Sequence, residues 1–252
     1  MIRRMSVLAV PLFALVACEQ AAPPTAEGFS EGQKAEFGQL VRAYLVENPE
    51  VLEEALLALQ TRRQSEQRAA QAQTLADAAP ALYQDARDVS FGPDDAKVTV
   101  VEFFDYNCSF CKLSADWIAK TIAEQPDVRF VFKELPIFEG KYEGSGESAL
   151  AALAVGRQSP TLYFDFHQAL MKADGGLTSE RIDTIAADVG ADVDQMRADM
   201  ENEAIQAHIK DNFELARAIG LTGTPGFVVN GEFVSGANFQ QLDTLIAEGL
   251  AG

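Results

Sequence analysis

The spacing of apolar positions changes along the chain, and each change predicts an element of secondary structure. A short run rich in β-branched and aromatic residues at 98–104 predicts a buried strand. After a polar break, apolar residues recur at helical spacing up to Ala123, which predicts a helix. A second apolar run, Val128–Leu135, stops at Pro136 and predicts another buried strand. This order and spacing indicate a right-handed parallel βαβ unit.

The C-terminal half is dominated by helical patterns. Amphipathic stretches separated by turn-forming residues predict helices at Ser145–Val155, Leu162–Met171, Ser179–Val189, Val193–Met200, Glu203–Ile219 and Phe239–Leu250. Between the last two, Asn230-Gly231 is flanked by short apolar stretches, which predicts a two-residue β-hairpin. Upstream of the first strand, Ala81–Phe91 is expected to supply an edge strand.

Segment 29–79 has helical stripes of apolar residues without an evident core. Phe37, Leu40 and Tyr44 share one stripe, and Asn48-Pro49 has the N-cap and first-turn chemistry of a second helix, expected to run to about Ala79. The first half of that helix has an apolar face and the second half is almost wholly polar. An apolar helical face without a core in its own chain is typical of oligomers. The alternative is that this stalk folds back on the rest of the chain.

The composition excludes one class of partner. A formal charge of −18 and a pI near 4.4 argue against nucleic-acid binding, which needs a basic surface to neutralise phosphates. The same charge is repelled by anionic lipid, so any membrane attachment must come from something other than electrostatics. The hydrophobic content of 48% suffices for one sizeable core with an appendage.

The N-terminus has the pattern of an export signal. In residues 1–17, Arg3-Arg4 precede an apolar stretch too short to span a bilayer. Leu15-Val16-Ala17-Cys18 resembles the lipobox of bacterial lipoproteins, which implies cleavage before Cys18 and lipidation of that residue. Glu19 at the next position then favours an outer-membrane location. Residues 18–28 form a Pro/Ala-rich tether. An ordinary signal peptide with an incidental cysteine is the alternative.

Cys108 and Cys111 open the predicted helix directly after the first strand. Unpaired N–H groups in a first helical turn stabilise a thiolate, so Cys108 is expected to be the attacking thiol, with Cys111 one turn deeper. A redox pair, half a zinc site and inert thiols all fit the spacing alone. Zinc needs about two more ligands, and the remaining candidates are Cys18, His167 and His208, with no second C-x-x-C. A redox pair is therefore favoured.

Three motifs together resemble the DsbA-like branch of the thioredoxin superfamily: VEFFDYNCSFC, KELP at Lys133–Pro136, and GTPGF at Gly223–Phe227. The resemblance covers roughly Asp85 to the C-terminus. It implies an α/β thioredoxin-like fold over 80–252, with an inserted helical domain at about 143–200. It further implies that Cys108 is the nucleophile, that Cys111 resolves the mixed disulfide, and that no cofactor or metal is bound.

The same resemblance assigns roles around the cysteines. Thr224-Pro225 would be a cis-proline loop facing them, with the Thr224 backbone pairing to substrate. Glu102 falls where thioredoxin-like proteins have a buried acid that takes the proton of the resolving thiol; an exposed strand glutamate is the alternative. Lys133 is a candidate counter-ion for it. Ser109-Phe110 replace the Pro-His of the strongest oxidants, which predicts a milder oxidant.

The two histidines are expected to be structural. His167 lies among Tyr163, Phe164 and Phe166, which are interpreted as core of the helical insertion rather than a substrate groove. His208 is expected to be a partly exposed residue of its helix, and 139–146 a solvated loop.

Segment 29–79 resembles the stalk of suppressor-of-copper-sensitivity relatives, which are trimers. The whole sequence thus predicts an exported, periplasmic, lipid-anchored thiol–disulfide oxidoreductase preceded by an N-terminal helical stalk. Its partners would be exported proteins, a membrane redox partner that re-oxidises or re-reduces the cysteines, and other copies of itself. Isomerase-like work or mild oxidation is favoured. The alternatives are a dedicated dithiol oxidase and, in another class, a non-catalytic envelope scaffold or metal-handling protein.

Overall fold

The computed structural model describes residues 28–252, so the predicted signal peptide, Cys18 and nearly all of the tether lie outside the described residues. No helix within 28–252 combines the length and the apolarity needed to cross a bilayer. The chain divides into two compact units at Arg62–Arg63, a point inside the second helix.

The N-terminal unit consists of helical segments with an exposed apolar stripe. Helix α1, Glu31–Glu47, begins with a capping box between Ser30 and Gln33 and buries none of its residues. Helix α2, Glu50–Asp77, follows directly after Asn48-Pro49. The exposed apolar side chains of the two helices are Phe37, Leu40, Val41, Tyr44, Val46, Leu52, Leu56, Leu57 and Leu59. No residue of 28–62 is buried, so these side chains form no core within the described part of the unit.

Five strands form one mixed sheet in the second unit. They are β1 (Val89–Phe91), β2 (Val98–Phe104), β3 (Val128–Glu134), β4 (Gly226–Val229) and β5 (Glu232–Ser235). The order is β1-β3-β2-β4-β5, with β2 parallel to β3 and the other pairs antiparallel. A helix, Ser109–Glu124, connects β2 to β3, which confirms the predicted βαβ unit. Asn230 and Gly231, both with positive φ, form the predicted hairpin turn between β4 and β5.

The remaining helices lie where the sequence placed them, with one difference. In chain order the helices after α2 are α3 (Ala79–Tyr83), α4 (Ser109–Glu124), α5 (Ser145–Gln158), α6 (Pro160–Lys172), α7 (Ser179–Asp188), α8 (Val193–Met200), α9 (Glu203–Ala218) and α10 (Phe239–Ala251). Four of them, α5 to α8, form the predicted helical insertion between β3 and β4. The difference is at 81–91: Pro80 lies in the first turn of α3, so residues up to Tyr83 are helical and the edge strand has only three residues.

The sheet is covered on both faces, which explains why β2 and β3 bury apolar residues on each of their two faces. On one face, Val100, Phe104 and Phe132 belong to a large core with α4 and the helical insertion. On the other face, Val101, Phe103 and Val131 pack with residues of α3 and α9. The thioredoxin-like fold with an inserted helical domain, expected from the sequence, is confirmed.

The register of β2 and β3 overturns the expected pairing of Lys133. Glu102 lies opposite Phe132 and Lys133 lies opposite Phe103, so the two charged residues point to opposite faces of the sheet. The Lys133 ammonium instead contacts the carboxylate of Asp88 and donates to the carbonyl oxygen of Ala81, at 2.6 Å. The predicted Lys133–Glu102 pair is therefore wrong.

His208 is also not the partly exposed residue that was expected. It is buried, and its Nε2 lies 2.8 Å from Oδ1 of Asp88, the same carboxylate that Lys133 contacts. The helical pattern of α9 did not reveal this because Asp88 is 120 residues earlier in the chain.

Candidate active site

The turn from β2 into α4 places the two cysteines. Cys108 is the N-cap residue of α4, with extended backbone angles of φ −84° and ψ 117°, and Cys111 lies in the first turn. The turn is organised by Asp105: its carbonyl oxygen accepts from the Cys108 N–H at 3.0 Å, and its Oδ1 accepts from the Asn107 N–H at 2.7 Å. The predicted strand–turn–helix arrangement is present.

Asp105 also fixes the loop that follows β3. Its Oδ2 accepts from the Phe138 N–H at 2.9 Å and from the Ser145 hydroxyl at 2.7 Å. The carboxylate is buried, so these bonds satisfy a group that would otherwise be costly to desolvate. No role for Asp105 was predicted from the sequence. Its position immediately after a buried strand, before the cysteines, is the signal that was available.

The predicted cis-proline loop faces the cysteines. The Thr224–Pro225 peptide bond is cis and directly precedes β4. Because β4 runs antiparallel to β2, with Gly226 opposite Phe103, the loop lies at the same edge of the sheet as the start of α4. The Sγ atom of Cys108 is consequently 3.2 Å from the carbonyl oxygen of Thr224.

The two thiols have opposite acidities. A hydrogen bond from Cys111 lowers the pKa of Cys108 to about 6, with further lowering from the Thr224 side chain and the N–H groups of Phe110 and Cys111, against the opposing effect of burial. Burial, followed by the Cys108 contact and the nearby charge of Glu102, raises the pKa of Cys111 far above the ordinary range. At neutral pH the pair therefore holds a thiolate at Cys108 and a protonated thiol at Cys111.

Glu102 is buried on the cysteine side of the sheet, as predicted. Burial raises its pKa to about 8, although a hydrogen bond that its Oε1 accepts from the Ser114 hydroxyl, at 2.6 Å, opposes the shift. Among the residues that the structure describes, Oε2 has no hydrogen-bond partner. Ser114, which the sequence analysis missed, also donates to the carbonyl oxygen of Cys111 at 2.8 Å, so it bridges the acid and the resolving cysteine.

The residues between the cysteines face solvent. Ser109 and Phe110 are both exposed, and 62% of the surface of Phe110 is accessible. Leu113, one turn further along the helix, is 58% accessible. Ile137 and Tyr142, in the loop that Asp105 fixes through the Phe138 N–H, are exposed as well. The first turns of α4 and the loop after β3 therefore carry exposed apolar side chains, which are called the apolar patch below, whereas the Cys108 sulfur belongs to a buried residue.

The aromatic residues around His167 form core, which confirms the structural interpretation. Tyr163, Phe166 and His167 are completely buried, and burial lowers the pKa of His167 to about 3. The imidazole is therefore neutral.

Asp85, Asp88 and His208 bring potential metal-ligating atoms within 4.8 Å of one another. These atoms are already engaged by protein partners. Arg87 binds both oxygens of Asp85, and Lys133 and His208 occupy the two oxygens of Asp88. The group is an ion-pair network rather than a vacant ligand set.

Comparison with known proteins agrees with this geometry. Residues 99–247 match the DSBA-like thioredoxin domain, and residues 33–71 match the copper resistance protein ScsC N-terminal domain. The crystal structure of Proteus mirabilis ScsC in a transitional conformation is similar with a TM-score of 0.63 and 33% identity, over 90% of this chain and 99% of that one. A periplasmic thioredoxin-like protein from Salmonella enterica serovar Typhimurium is 30% identical, with a TM-score of 0.62, over 69% and 96%.

Two kinds of curated protein are similar in sequence to this chain. Disulfide bond formation protein D of Bacillus subtilis is 28% identical over 172 residues, which are 64% of this chain and 76% of that protein. The chain also matches Na(+)/H(+) antiporters, of which the Salinispora arenicola protein is 27% identical, but it spans only 25% of that protein's length. The protein therefore belongs to the DsbA-like thioredoxin family of thiol–disulfide oxidoreductases, with an N-terminal segment of the ScsC type.

Proposed function

We propose that Cys108 and Cys111 exchange disulfides with exported proteins, in isomerase-like reactions or as a mild oxidant. The observation that carries this proposal is the opposite shift of the two thiol pKa values, which leaves Cys108 as thiolate and Cys111 protonated at neutral pH. Thiolate is the attacking species in disulfide exchange. Cys108 is therefore the nucleophile, and Cys111 remains a protonated thiol until the second step.

The reaction proceeds through a mixed disulfide. The Cys108 thiolate attacks one sulfur of a substrate disulfide; a new S–S bond forms, the substrate bond breaks, and the released substrate thiolate takes up a proton. Cys111 then transfers its proton to the ionised form of Glu102 and attacks the Cys108 sulfur. The bond from Cys108 to the substrate breaks, the second substrate thiolate leaves and takes up a proton, and a Cys108–Cys111 disulfide remains. Oxidation of a substrate dithiol is the same sequence in reverse. In isomerisation, a substrate thiol displaces Cys108 instead.

Substrate binding is assigned to the cis-proline loop and the apolar patch. Thr224 offers its main chain beside the Cys108 sulfur, and main-chain pairing reads no side chains, so many unfolded chains are accepted. Phe110 and Leu113 add exposed apolar surface for segments that a folded protein would bury. Broad selectivity is the expected consequence.

The N-terminal segment supports a proposal for the assembly and the location of the enzyme. The exposed apolar stripes of α1 and α2 support assembly through the stalk, with a trimer favoured. The similar Salmonella protein is periplasmic, which supports export of this one. Lipid attachment at Cys18, at the outer membrane, and re-oxidation or re-reduction by a membrane redox partner complete the proposal.

The central experiment traps the mixed disulfide. In cells, a Cys111→Ala variant should accumulate disulfide-linked adducts at Cys108, identified by mass spectrometry after non-reducing purification, because the resolving step is blocked. Cys108→Ala is the control and should trap nothing. If a double Cys→Ala variant restores all phenotypes of a deletion strain, the scaffold role replaces the enzymatic one.

Two measurements on the purified protein, its reduction potential and its oligomeric mass, test whether it acts as an isomerase or as a dithiol oxidase. Isomerase-like work predicts an oligomer whose cysteines are reduced at equilibrium with glutathione and which reactivates scrambled ribonuclease. An oxidised monomer of high potential would identify a dedicated dithiol oxidase instead.

A further inference from the structure

A buried polar cluster lies directly behind the turn that carries Cys108. The hydroxyls of Tyr106 and Tyr163 each donate to Oε1 of Glu134 at 2.9 Å, and the Tyr106 hydroxyl is 3.2 Å from Nδ1 of His167. None of the four side chains is more than 1% exposed. Each of the four groups therefore has a polar partner inside the core, although within residues 28–252 Oε2 of Glu134 and Nε2 of His167 have none.

The cluster joins three parts of the fold. Tyr106 belongs to the turn, two residues before Cys108. Glu134 ends β3, where its backbone carbonyl oxygen accepts from Asn212 of α9 at 3.2 Å. Tyr163 and His167 lie on α6 of the helical insertion. Glu134 is therefore the point at which the turn, the sheet and the insertion are connected by hydrogen bonds.

Burial disfavours charged groups in this cluster. Burial raises the pKa of Glu134 well above its ordinary value and lowers the pKa of His167 to about 3. An ionised carboxylate at this place would add a negative charge to the face of the sheet that already holds the Cys108 thiolate. A neutral acid makes the same contacts without that repulsion.

We propose that Glu134 is a positioning residue for the redox pair: through Tyr106 it fixes the turn that aims the first-turn N–H groups at the Cys108 sulfur, and through Tyr163 it ties that turn to the helical insertion. The inference rests on the proposed role of Cys108 as the attacking thiol. The thiolate is stabilised by the N–H groups of Phe110 and Cys111, whose effect depends on their alignment with the sulfur. A turn that is free to shift loses that alignment.

The test is the pH profile of alkylation at Cys108 in the reduced protein, read by peptide mass spectrometry. Tyr106→Phe keeps the ring that packs on Phe104 and removes only the hydroxyl. Glu134→Leu leaves two buried hydroxyls without their acceptor, whereas Glu134→Gln retains an uncharged acceptor. Tyr83→Phe is the matched control, since the Tyr83 hydroxyl contacts the Gly231 N–H and its ring packs with the core on the other sheet face.

Tyr106→Phe and Glu134→Leu should raise the midpoint of the pH profile of Cys108 alkylation above its value of about 6 in the unmodified protein. A rise of about 1 unit lowers the alkylation rate about tenfold at pH values below the midpoint. Glu134→Gln and Tyr83→Phe should keep the profile of the unmodified protein.

Three outcomes would overturn the inference. In the first, Tyr106→Phe and Glu134→Leu lower only the unfolding temperature and leave the alkylation profile unchanged, which would make the cluster purely structural. Glu134→Gln could shift the profile as much as Glu134→Leu, which would show that the ionisable group itself acts. Tyr83→Phe could shift it equally, which would show a general effect of destabilisation. If Glu134→Leu does not fold, Tyr106→Phe decides the test. A midpoint of Cys108 alkylation near pH 9 in the unmodified protein would instead refute the proposed function, because Cys108 would then not be a thiolate at neutral pH.

Discussion

The sulfur of Cys108 lies 3.2 Å from the carbonyl oxygen of Thr224, although the two residues are 116 positions apart. The contact exists because β4 pairs antiparallel with β2, so that the loop before β4 meets the helix that follows β2. A sulfur bound to Cys108 would therefore lie beside the main chain of Thr224, the group to which we assign substrate binding.

The acidity of Cys108 predicts how the stability of the reduced protein depends on pH. Its pKa is lowered from 9.0 to about 6 on folding, so its contribution is complete above pH 9 and is lost as the pH falls through 6. Urea unfolding of the reduced protein and of Cys108→Ala, from pH 5.5 to 9, measures this contribution. The difference between them should increase with pH. A difference independent of pH would contradict the assignment of the thiolate.

Glu102 should act in the second step of exchange and not in the first. Glu102→Gln retains an acceptor for Ser114 but removes the group that takes the Cys111 proton, so resolution of a Cys108–glutathione mixed disulfide should slow by about 10²-fold. Rapid-quench measurement of both steps separates them. Equal slowing of attack and resolution would show that the substitution disturbs the site generally.

Glu102→Gln should also alter stability in a pH-dependent way. The pKa of Glu102 is raised from 4.5 to about 8, so its ionisation increasingly opposes folding as the pH rises from 4.5 to 8. The variant should gain stability over the unmodified protein across that interval, measured by urea unfolding at pH 5 and pH 8. A gain as large at pH 5 as at pH 8 would have another cause.

Lys133 should be important for stability and unimportant for exchange. Lys133→Met leaves the buried carboxylate of Asp88 without its ammonium partner, which should cost about 3–5 kcal/mol of unfolding free energy. The rate of Cys108 alkylation in the folded variant should be unchanged, because Lys133 faces away from Glu102. Lys210→Met, which removes an exposed pair with Glu214, is the control and should cost under about 0.5 kcal/mol.

The stalk should set the oligomeric state through its apolar stripes. Leu40 and Leu56 are exposed by 67% and 65%, so a Leu40→Lys/Leu56→Lys variant should dissociate the oligomer by charging the surfaces between copies. Sedimentation velocity measures the change, with Glu54→Lys as a control for added positive charge. Dithiol chemistry at Cys108 should persist in the monomer. Sedimentation of the unmodified protein as a monomer would contradict the proposed assembly.

The sequence predicted those parts of the fold that depend on local pattern. The apolar runs placed β2 and β3, helical spacing placed α4 to α10, and Asn230-Gly231 placed the hairpin. Glu102 proved buried on the cysteine side of the sheet. Lys133 and His208 were misjudged because their partner, Asp88, is distant in the chain and joins them only when α9 and the segment before β1 pack on one face of the sheet.

By itself, then, the sequence determined where a thiol would emerge at the start of a helix, because strand and helix periods and the place of Cys108 are local properties. Only the tertiary structure decided what surrounds that thiol. The bonds of Asp105 to Phe138 and Ser145, and of Glu134 to Tyr106 and Tyr163, join residues 28 to 40 positions apart. Such pairs follow from strand register and helix packing, because burial forces each polar group to take whichever partner the fold brings within reach.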